Sequence, residues 1–260
     1  MKIAFVDESH VYLNGEKCLL YGAYICSDLS KPSQALIEIR NKFKLSPNIE
    51  IKWTIDTGDA VLNSNIKEDL LCQSHGYGDE FLVSITRGKD KNAAFNRCLE
   101  QVYNHFRIRS EETYGVIFDH DVTPNKQKAA AHIMSFSEKP YCLLFAEAAS
   151  ELTAGISVID GFLGAYAYMI HKQYIEKQLK IEAHPELYLR LDEFFWEIFR
   201  RSIPGEFRWD HSYSEYEDVA KVDTGYCHTL GHGLVVDPNL TPEQFKRIEP
   251  FIDLRLGCTI

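Results

Sequence analysis

Short apolar runs of strand length, alternating with stretches of helical spacing, constrain the fold of this chain more than any other feature. Five runs are predicted to be strands, at residues 3–8, 18–26, 81–86, 114–119 and 141–146. Asn14-Gly15, between the first two, predicts a tight hairpin. Helical spacing is found at residues 31–44, where Ser30 is the expected N-cap, and at 58–72, 92–107 and 155–180. This order of elements predicts an α/β fold, a mixed five-stranded sheet flanked by helices.

The chain changes character near residue 181. Residues 1–180 carry 23 acidic and 20 basic side chains, whereas residues 181–260 carry 15 acidic and 8 basic ones, so most of the formal net charge of −10 lies in the last third. We expect a domain over residues 1–180 and an acidic, helical or irregular C-terminal extension over residues 181–260. The extension either belongs to the same globule or binds a partner protein or a second copy of the chain. The composition, 45% hydrophobic and 25% charged, excludes a disordered or coiled-coil chain.

Three features of the sequence bear on its compartment. The first apolar run is too short for a signal peptide, and the longest apolar stretch, residues 156–170, is shorter than the roughly 20 residues that span a bilayer. The seven cysteines are scattered and form no Cys-x-x-Cys pair, which is typical of reduced thiols. We expect a cytoplasmic protein that does not enter a membrane.

Three carboxylates stand in apolar surroundings. Asp7 and Asp119 each end a predicted strand, and Asp160 interrupts an apolar helix. A strand-terminal Asp often caps a turn, but an Asp among apolar helical residues needs a partner. The small residues Gly161 and Gly164 predict that this helix lies close to the sheet, which would bring Asp160 to the strand ends. Several carboxylates that converge on one point suit hard cations such as Mg²⁺ or Mn²⁺.

Four short motifs follow one another along residues 1–175. They are Asp7-Glu8-Ser9, Glu50-Ile51-Lys52-Trp53, a strand ending in Asp119, and the helical segment Gly155-Ile156-Ser157-Val158-Ile159-Asp160. As a set they resemble a prokaryotic and phage family known as domain of unknown function 3800. The usual pattern of that family has Gly, Gln and Ala where this chain has His10, Ser157 and Ile159.

This resemblance implies a ribonuclease H-like fold with a site for two divalent ions, Mg²⁺ or Mn²⁺. Asp7 would bridge the two ions from the central strand, and Glu50, Asp119 and Asp160 would be the other ligands. The implied activity is metal-dependent hydrolysis of phosphodiester bonds in RNA or DNA. The departures from the family pattern leave all four carboxylates in place and affect only the expected substrate contacts.

Two further acids lie next to these ligands. Glu8 is predicted to face away from Asp7, because successive side chains of a strand alternate, and we expect it to have a structural role. By the same alternation Asp121 shares a face with Asp119. It is a reserve ligand if the strand continues that far.

Basic and polar side chains near the motifs are candidate substrate contacts. Lys52 either neutralises a scissile phosphate or is a solvated surface lysine. Ser9 and His10 are the other candidates. Since residues 1–180 are near neutral overall, local basic groups can bind a nucleic acid despite the negative total.

Other chemistries have less support in the sequence. It has no phosphate-binding Gly-rich loop and no Gly-x-Ser-x-Gly nucleophile motif. Cys227, His228 and His232, with Cys258 or His211, suggest zinc but lack the paired spacing of structural zinc sites. The predicted function is a metal-dependent nuclease. The alternative is a non-catalytic ribonuclease H-like module that binds a partner and uses its acids structurally.

Overall fold

The computed structural model describes residues 1–73, 79–175 and 233–255. Six strands form one sheet, and they are β1 (Lys2–Leu13), β2 (Glu16–Cys26), β3 (Glu80–Arg87), β4 (Thr113–Asp119), β5 (Tyr141–Ala148) and β6 (Leu234–Val236). The helices are α1 (Ser30–Phe43), α2 (Ala60–Gln73), α3 (Lys91–Ile108), α4 (Lys126–Met134), α5 (Ala154–Ile175) and α6 (Pro242–Arg255). A short 3-10 turn, Ser150–Leu152, precedes α5.

The strands are ordered β5-β4-β1-β2-β3-β6 across the sheet. β1, β2 and β3 form an antiparallel meander, while β4 runs parallel to β1 and β5 parallel to β4. The predicted fold class, an α/β fold with a mixed sheet flanked by helices, is confirmed by this topology. The sheet has six strands rather than the expected five, because β6 from the C-terminal extension pairs in parallel with β3.

The hairpin between β1 and β2 forms where it was predicted. Asn14 and Gly15 both have positive φ angles, 52° and 82°, which is the backbone of a type I′ turn. Its twist matches that of the flanking strands, so β1 and β2 remain paired from Ile3 with Cys26 to Leu13 with Glu16. This register places Gly22 of β2 directly opposite Asp7 of β1.

Helices cover both faces of the sheet. On one face, α1, α2, α5 and α6 pack against alternate side chains of β1, β2 and β3, including Ile3, Phe5 and Leu20. On the other face, α3 and α4 pack against the intervening side chains, including Ala4 and Val6. Asp7 therefore belongs to the α5 face and Glu8 to the α3 face, since strand side chains alternate.

One local expectation is corrected by the structure. α1 begins at Ser30 itself, so Ser30 is not its N-cap, and the Asp28 carboxylate accepts hydrogen bonds from the Ser30 backbone N–H at 3.0 Å and from its hydroxyl at 2.7 Å. No residue range was predicted for helix α4, although its N-cap Asn125 accepts from the Lys128 N–H. Its apolar side chains are too few to show a clear helical period.

Close packing of α5 on the sheet depends on other glycines than those predicted. A Cβ added at Gly155 would overlap the Phe5 ring, and one added at Gly22 would lie 2.6 Å from Leu163 Cδ2. Gly161 and Gly164, which were expected to face the sheet, contact Leu70 of α2 and Trp53 instead. α5 thus packs closely on the sheet at Phe5 and at Gly22, the residue opposite Asp7.

The described part of the C-terminal extension packs on the rest of the protein. Asp237, just after β6, accepts from the Arg97 guanidinium at 2.9 Å, and the Gln244 amide of α6 donates to Glu16 at 2.8 Å. Ile248 of α6 is fully buried in the α5-face core. Across the described ranges, no helix is both long and apolar enough to cross a membrane.

Candidate functional site

The middle of β1 and the end of β4 bring two of the predicted carboxylates together. These parallel neighbours are paired as far as Val6 with Phe118, so Asp7 and Asp119 are the next residues on adjacent strands. Phe5 and Ile117, two residues earlier, are also paired and both pack against the α5-face core. Asp7 and Asp119 therefore lie on the face covered by α5, just beyond the last parallel pair of β1 and β4. Asp119 ends β4 as predicted, whereas Asp7 does not end its strand, because β1 continues to Leu13 through its pairing with β2.

Asp7 is the most buried of the four candidate ligands, with 6% of its surface exposed. Its carboxylate accepts the N–H of Glu8 at 2.7 Å. Burial raises the pKa of Asp7 well above its ordinary value, and the negative charges of Asp160 and Asp119 raise it further. Asp7 is thus a desolvated carboxylate with two like-charged neighbours.

Asp160 reaches the same place from α5. Its Oδ2 accepts the backbone N–H of Trp53 at 2.6 Å, which connects the helix to the loop after α1. Burial raises the pKa of Asp160. The Trp53 N–H and the positive charge of Lys52 oppose this shift without cancelling it, while Glu50 and Asp119 add to it. The charges of Asp160, Asp119 and Glu50 therefore act on one another.

Glu50 is held by neighbours of its own. Lys52 Nζ forms an ion pair with Glu50 Oε2, and the Ser150 hydroxyl donates to Glu50 Oε1 at 2.7 Å. Burial acts to raise the pKa of Glu50, but the hydrogen bonds from Lys52 and Ser150 outweigh it and leave the pKa below its ordinary value. For Glu50, therefore, the hydrogen bonds from Lys52 and Ser150 more than offset the effect of burial on the carboxylate.

Asp119 ends β4, and the chain turns immediately after it. Asp119 Oδ1 accepts the backbone N–H of His120 at 2.9 Å and lies 3.1 Å from His120 Nδ1. Asp121 sits 3.4 Å from the other ring nitrogen of His120, with 79% of its side chain exposed. Since the strand stops at Asp119, the condition under which Asp121 would be a reserve ligand is not met.

Glu8 lies on the opposite side of the sheet, as alternation predicted. Lys91 of α3 forms an ion pair with it, and the Tyr21 hydroxyl lies 3.1 Å from Glu8 Oε2. The same hydroxyl donates to the Val122 carbonyl at 2.6 Å. These contacts tie β1, β2 and α3 to the loop after β4.

The candidate substrate contacts are placed differently from one another. Lys52 lies at the carboxylates, paired with Glu50, and 40% of its side chain is exposed. Ser9 shares the Asp7 face of β1 and is half-buried. His10 lies on the other pleat of β1, where its ring packs edge-on against Tyr12 at 5.5 Å between centroids.

Three groups at the site were not predicted from the sequence. Ser150 lies in a 3-10 turn that carries no motif, and the Trp53 N–H is a backbone donor that no side-chain pattern reveals. Lys67 of α2 is close enough for Asp160 to act on its pKa, although burial of the ammonium lowers that pKa overall. Its only signal in the sequence was its place in a predicted helix.

The donor chemistry of the cluster fits a hard divalent cation. Asp7 and Asp160 are oxygen donors whose pKa values are raised by burial and by neighbouring negative charge, an environment that a cation would stabilise. As arranged here, however, no group of three or more His, Cys, Asp or Glu side chains within the described ranges could hold a metal ion. Glu50 is turned toward Lys52 and Ser150. A bound cation would therefore require Glu50 to change its partners.

The raised pKa of Asp7 predicts a pH dependence of stability. In the folded state the carboxyl binds its proton more tightly than in the unfolded state, where its ordinary pKa is 3.8. The stability it contributes is full below pH 3.8 and is lost as the pH rises through the folded value. Denaturant unfolding in chelator, from about pH 4 to about pH 8, should show the free energy of unfolding falling more steeply for wild type than for Asp7→Asn. Equal slopes would contradict the raised pKa.

Comparisons with known proteins add a distant structural likeness. No family model matches the sequence, and neither does any curated protein. Among solved structures, the chain is similar to the ribonuclease H2 of Pyrococcus horikoshii OT3, with 15% sequence identity and a TM-score of 0.34. The alignment covers 76% of this chain and 88% of that one. The site described above consequently rests on its own geometry.

The zinc alternative lies beyond the residues that the structure describes. Cys227, His228 and His232, together with His211 and Cys258, all fall in the undescribed ranges. Most of the acidic extension, residues 181–232, lies there as well, so its binding of a partner protein or a second copy stays a prediction.

Proposed function

We propose that this protein is a metal-dependent nuclease that hydrolyses phosphodiester bonds of RNA or DNA. One observation carries the proposal. The buried carboxylate of Asp7, within the central strand, is under the negative charge of Asp160 from the helix above and of Asp119 from the adjacent strand. A fold keeps such an arrangement at a cost in stability, and a functional cation would compensate for it.

Asp7, Glu50, Asp119 and Asp160 would hold Mg²⁺ or Mn²⁺. When bound, such ions supply an activated water and stabilise the leaving oxygen of the phosphodiester. The chain itself contributes orientation, because β1 and β4 are inner strands of the sheet and each is paired with a neighbouring strand on both sides. Burial of Asp7 also keeps bulk water from screening the site.

Lys52 would bind the substrate phosphate. Its ammonium is held beside Glu50, and its pKa is raised by the hydrogen bond to that carboxylate, so it remains a cation at neutral pH. If Glu50 turned toward a bound cation, Lys52 would be released next to the scissile phosphate. Ser9, on the same pleat as Asp7, is the second contact we propose, whereas the placement of His10 beside Tyr12 supports it less.

We also propose a family and a cellular location for this protein. The motif order supports membership of the domain of unknown function 3800 family. Cys18, Cys26 and Cys98 are buried thiols outside any disulfide, which supports a cytoplasmic location.

A non-catalytic ribonuclease H-like binding module is the second candidate function. It is favoured by the absence of a ready metal-holding group within residues 1–73, 79–175 and 233–255. In that case the Glu50–Lys52 ion pair would be a permanent structural contact.

Cleavage assays separate the two candidates. Labelled RNA, DNA and hybrid strands incubated with Mg²⁺ or Mn²⁺ should be cut by wild type, and a chelator should stop the reaction. Asp160→Asn should lose on the order of 100-fold in rate, because removing one anionic ligand weakens cation binding. Asp121→Asn is the matched control, an exposed acid near the site that should keep wild-type activity. Binding without cleavage under every condition would favour the module.

A further inference from the structure

The indole of Trp53 lies directly on the backbone of α5. A Cβ added at Gly164 would overlap the Cβ, Cγ and Cδ1 atoms of Trp53, which are the root of the side chain and not its flexible end. Any residue larger than glycine at position 164 must therefore displace the whole Trp53 side chain. Gly164 lies one helical turn beyond Asp160, so the contact between Trp53 and Gly164 is next to the site.

Trp53, which packs on Gly164, also forms a hydrogen bond with Asp160. The backbone N–H of Trp53 donates to Asp160 Oδ2 at 2.6 Å. A hydrogen bond to one oxygen fixes the rotation of a carboxylate, and a charged acceptor makes the bond strong. The packing of Trp53 on Gly164 and its hydrogen bond to Asp160 thus connect the Trp53 loop to α5 at two points, four residues apart on the helix.

The outer side of the indole is also covered. Lys67 Nζ of α2 lies 4.9 Å from the ring centroid, in cation–π contact, and the Tyr168 ring lies 6.1 Å away. The ring is consequently held between α5 and α2. Its loop does not depend on it for anchoring, because Ile51 and Ile55 on either side are buried in the core.

We propose that Gly164 and Trp53 are positioning residues for Asp160. The glycine admits the indole, the indole places its own backbone N–H, and that N–H orients the Asp160 carboxylate toward Asp7 and Asp119. The inferred orientation of Asp160 follows from the contacts of Trp53 with Gly164 and with Asp160. The expected effect of that orientation on cation binding rests on the proposed function.

Gly164→Ala tests the proposal, with Gly161→Ala as its matched control. Both substitutions replace a glycine of the same helix with a better helix former. At Gly161 the new Cβ meets Leu70 Cδ2 at 2.5 Å, the far end of a flexible side chain that can move aside. Gly164→Ala alone should therefore disturb Trp53.

Two readouts are needed. Hydrogen exchange of the Trp53 amide should become at least about 10-fold faster in Gly164→Ala, because the amide loses its carboxylate acceptor, and should be unchanged in Gly161→Ala. Calorimetric titration with Mn²⁺ alone should show about 10-fold weaker binding in Gly164→Ala, the size expected when a ligand-orienting contact is lost.

The outcomes that overturn the proposal are distinct from those that overturn the nuclease. Unchanged Trp53 exchange in Gly164→Ala, or an equal change in Gly161→Ala, would refute the positioning role. Unchanged Mn²⁺ affinity despite faster exchange would refute its consequence for the site. If wild type binds no Mn²⁺, the proposed function fails, and amide exchange still decides the positioning. If Gly164→Ala does not fold, Trp53→Ala against Trp53→Phe gives the same comparison at the amide of residue 53, with the aromatic variant expected to retain protection.

Discussion

Asp7→Asn is expected to abolish divalent-dependent cleavage while the protein stays folded and at least as stable as wild type at neutral pH. Asp7 is the proposed bridging ligand, and loss of its charge removes several kcal/mol of transition-state stabilisation, on the order of a 10³-fold loss in rate. Cleavage rates of the purified variant, with circular dichroism for folding, measure both effects.

Stability is expected to hold or rise for an electrostatic reason. The wild-type carboxylate is buried, and the negative charges of Asp160 and Asp119 lie close enough to repel it. Asparagine has nearly the same shape, carries no charge, and keeps an oxygen that can accept the Glu8 N–H. The substitution therefore removes a repulsion without creating a cavity.

Glu8→Gln is the matched control for Asp7→Asn. It neutralises the adjacent acid on the opposite face, where it breaks the ion pair with Lys91. This variant should be less stable than wild type yet retain cleavage. Loss of cleavage in Glu8→Gln with full activity in Asp7→Asn would reverse the assignment of the two faces.

Mn²⁺ or Mg²⁺ is expected to stabilise the wild-type protein strongly. An ion that binds only the folded state at 100 times its dissociation constant adds about 2.7 kcal/mol to the free energy of unfolding. For a chain of this length that corresponds to a rise in Tm of roughly 5 to 10 °C. The cation would also neutralise the repulsion between Asp7 and Asp160, so the decline of stability with pH should flatten.

Thermal unfolding with and without the divalent ion measures this effect, with sodium chloride of equal ionic strength as the control for screening. Asp7→Asn and Asp160→Asn should show little of the rise, and chelator should reverse it in wild type. A full rise in both variants would place the ion elsewhere on the protein. The lack of any rise in wild type would mean that the carboxylate cluster binds no cation.

Much of the fold could be predicted because its signals are local. The apolar runs, the Asn14-Gly15 turn and the helical periods are properties of neighbouring residues, and the strands and helices formed where these signals lay. The opposite orientation of Asp7 and Glu8 follows from the two-residue period of a strand. The hairpin register that places Gly22 opposite Asp7 follows from the turn.

Elements without a local signal were missed. β6 is a three-residue strand that pairs with the edge of β3, 151 residues away in the chain (Val83 with Leu234). Gly161 and Gly164 were correctly noted as small, but the surface that each one faces depends on how α2 and the Trp53 loop pack on α5. A sequence shows where a helix has a glycine, but it does not show which side chain packs against that glycine.

For the carboxylates too, some features are visible in the sequence and others only in the folded protein. Which acids stand in apolar surroundings can be seen in the sequence, because a charged residue in an apolar run is visible without any structure. That Asp160 bonds to the Trp53 N–H, and that Glu50 is paired with Lys52 and Ser150, depends on how distant segments pack in the folded protein. Those contacts join residues up to 107 positions apart. Their energies depend on distance in space, which the order of residues along the chain does not specify.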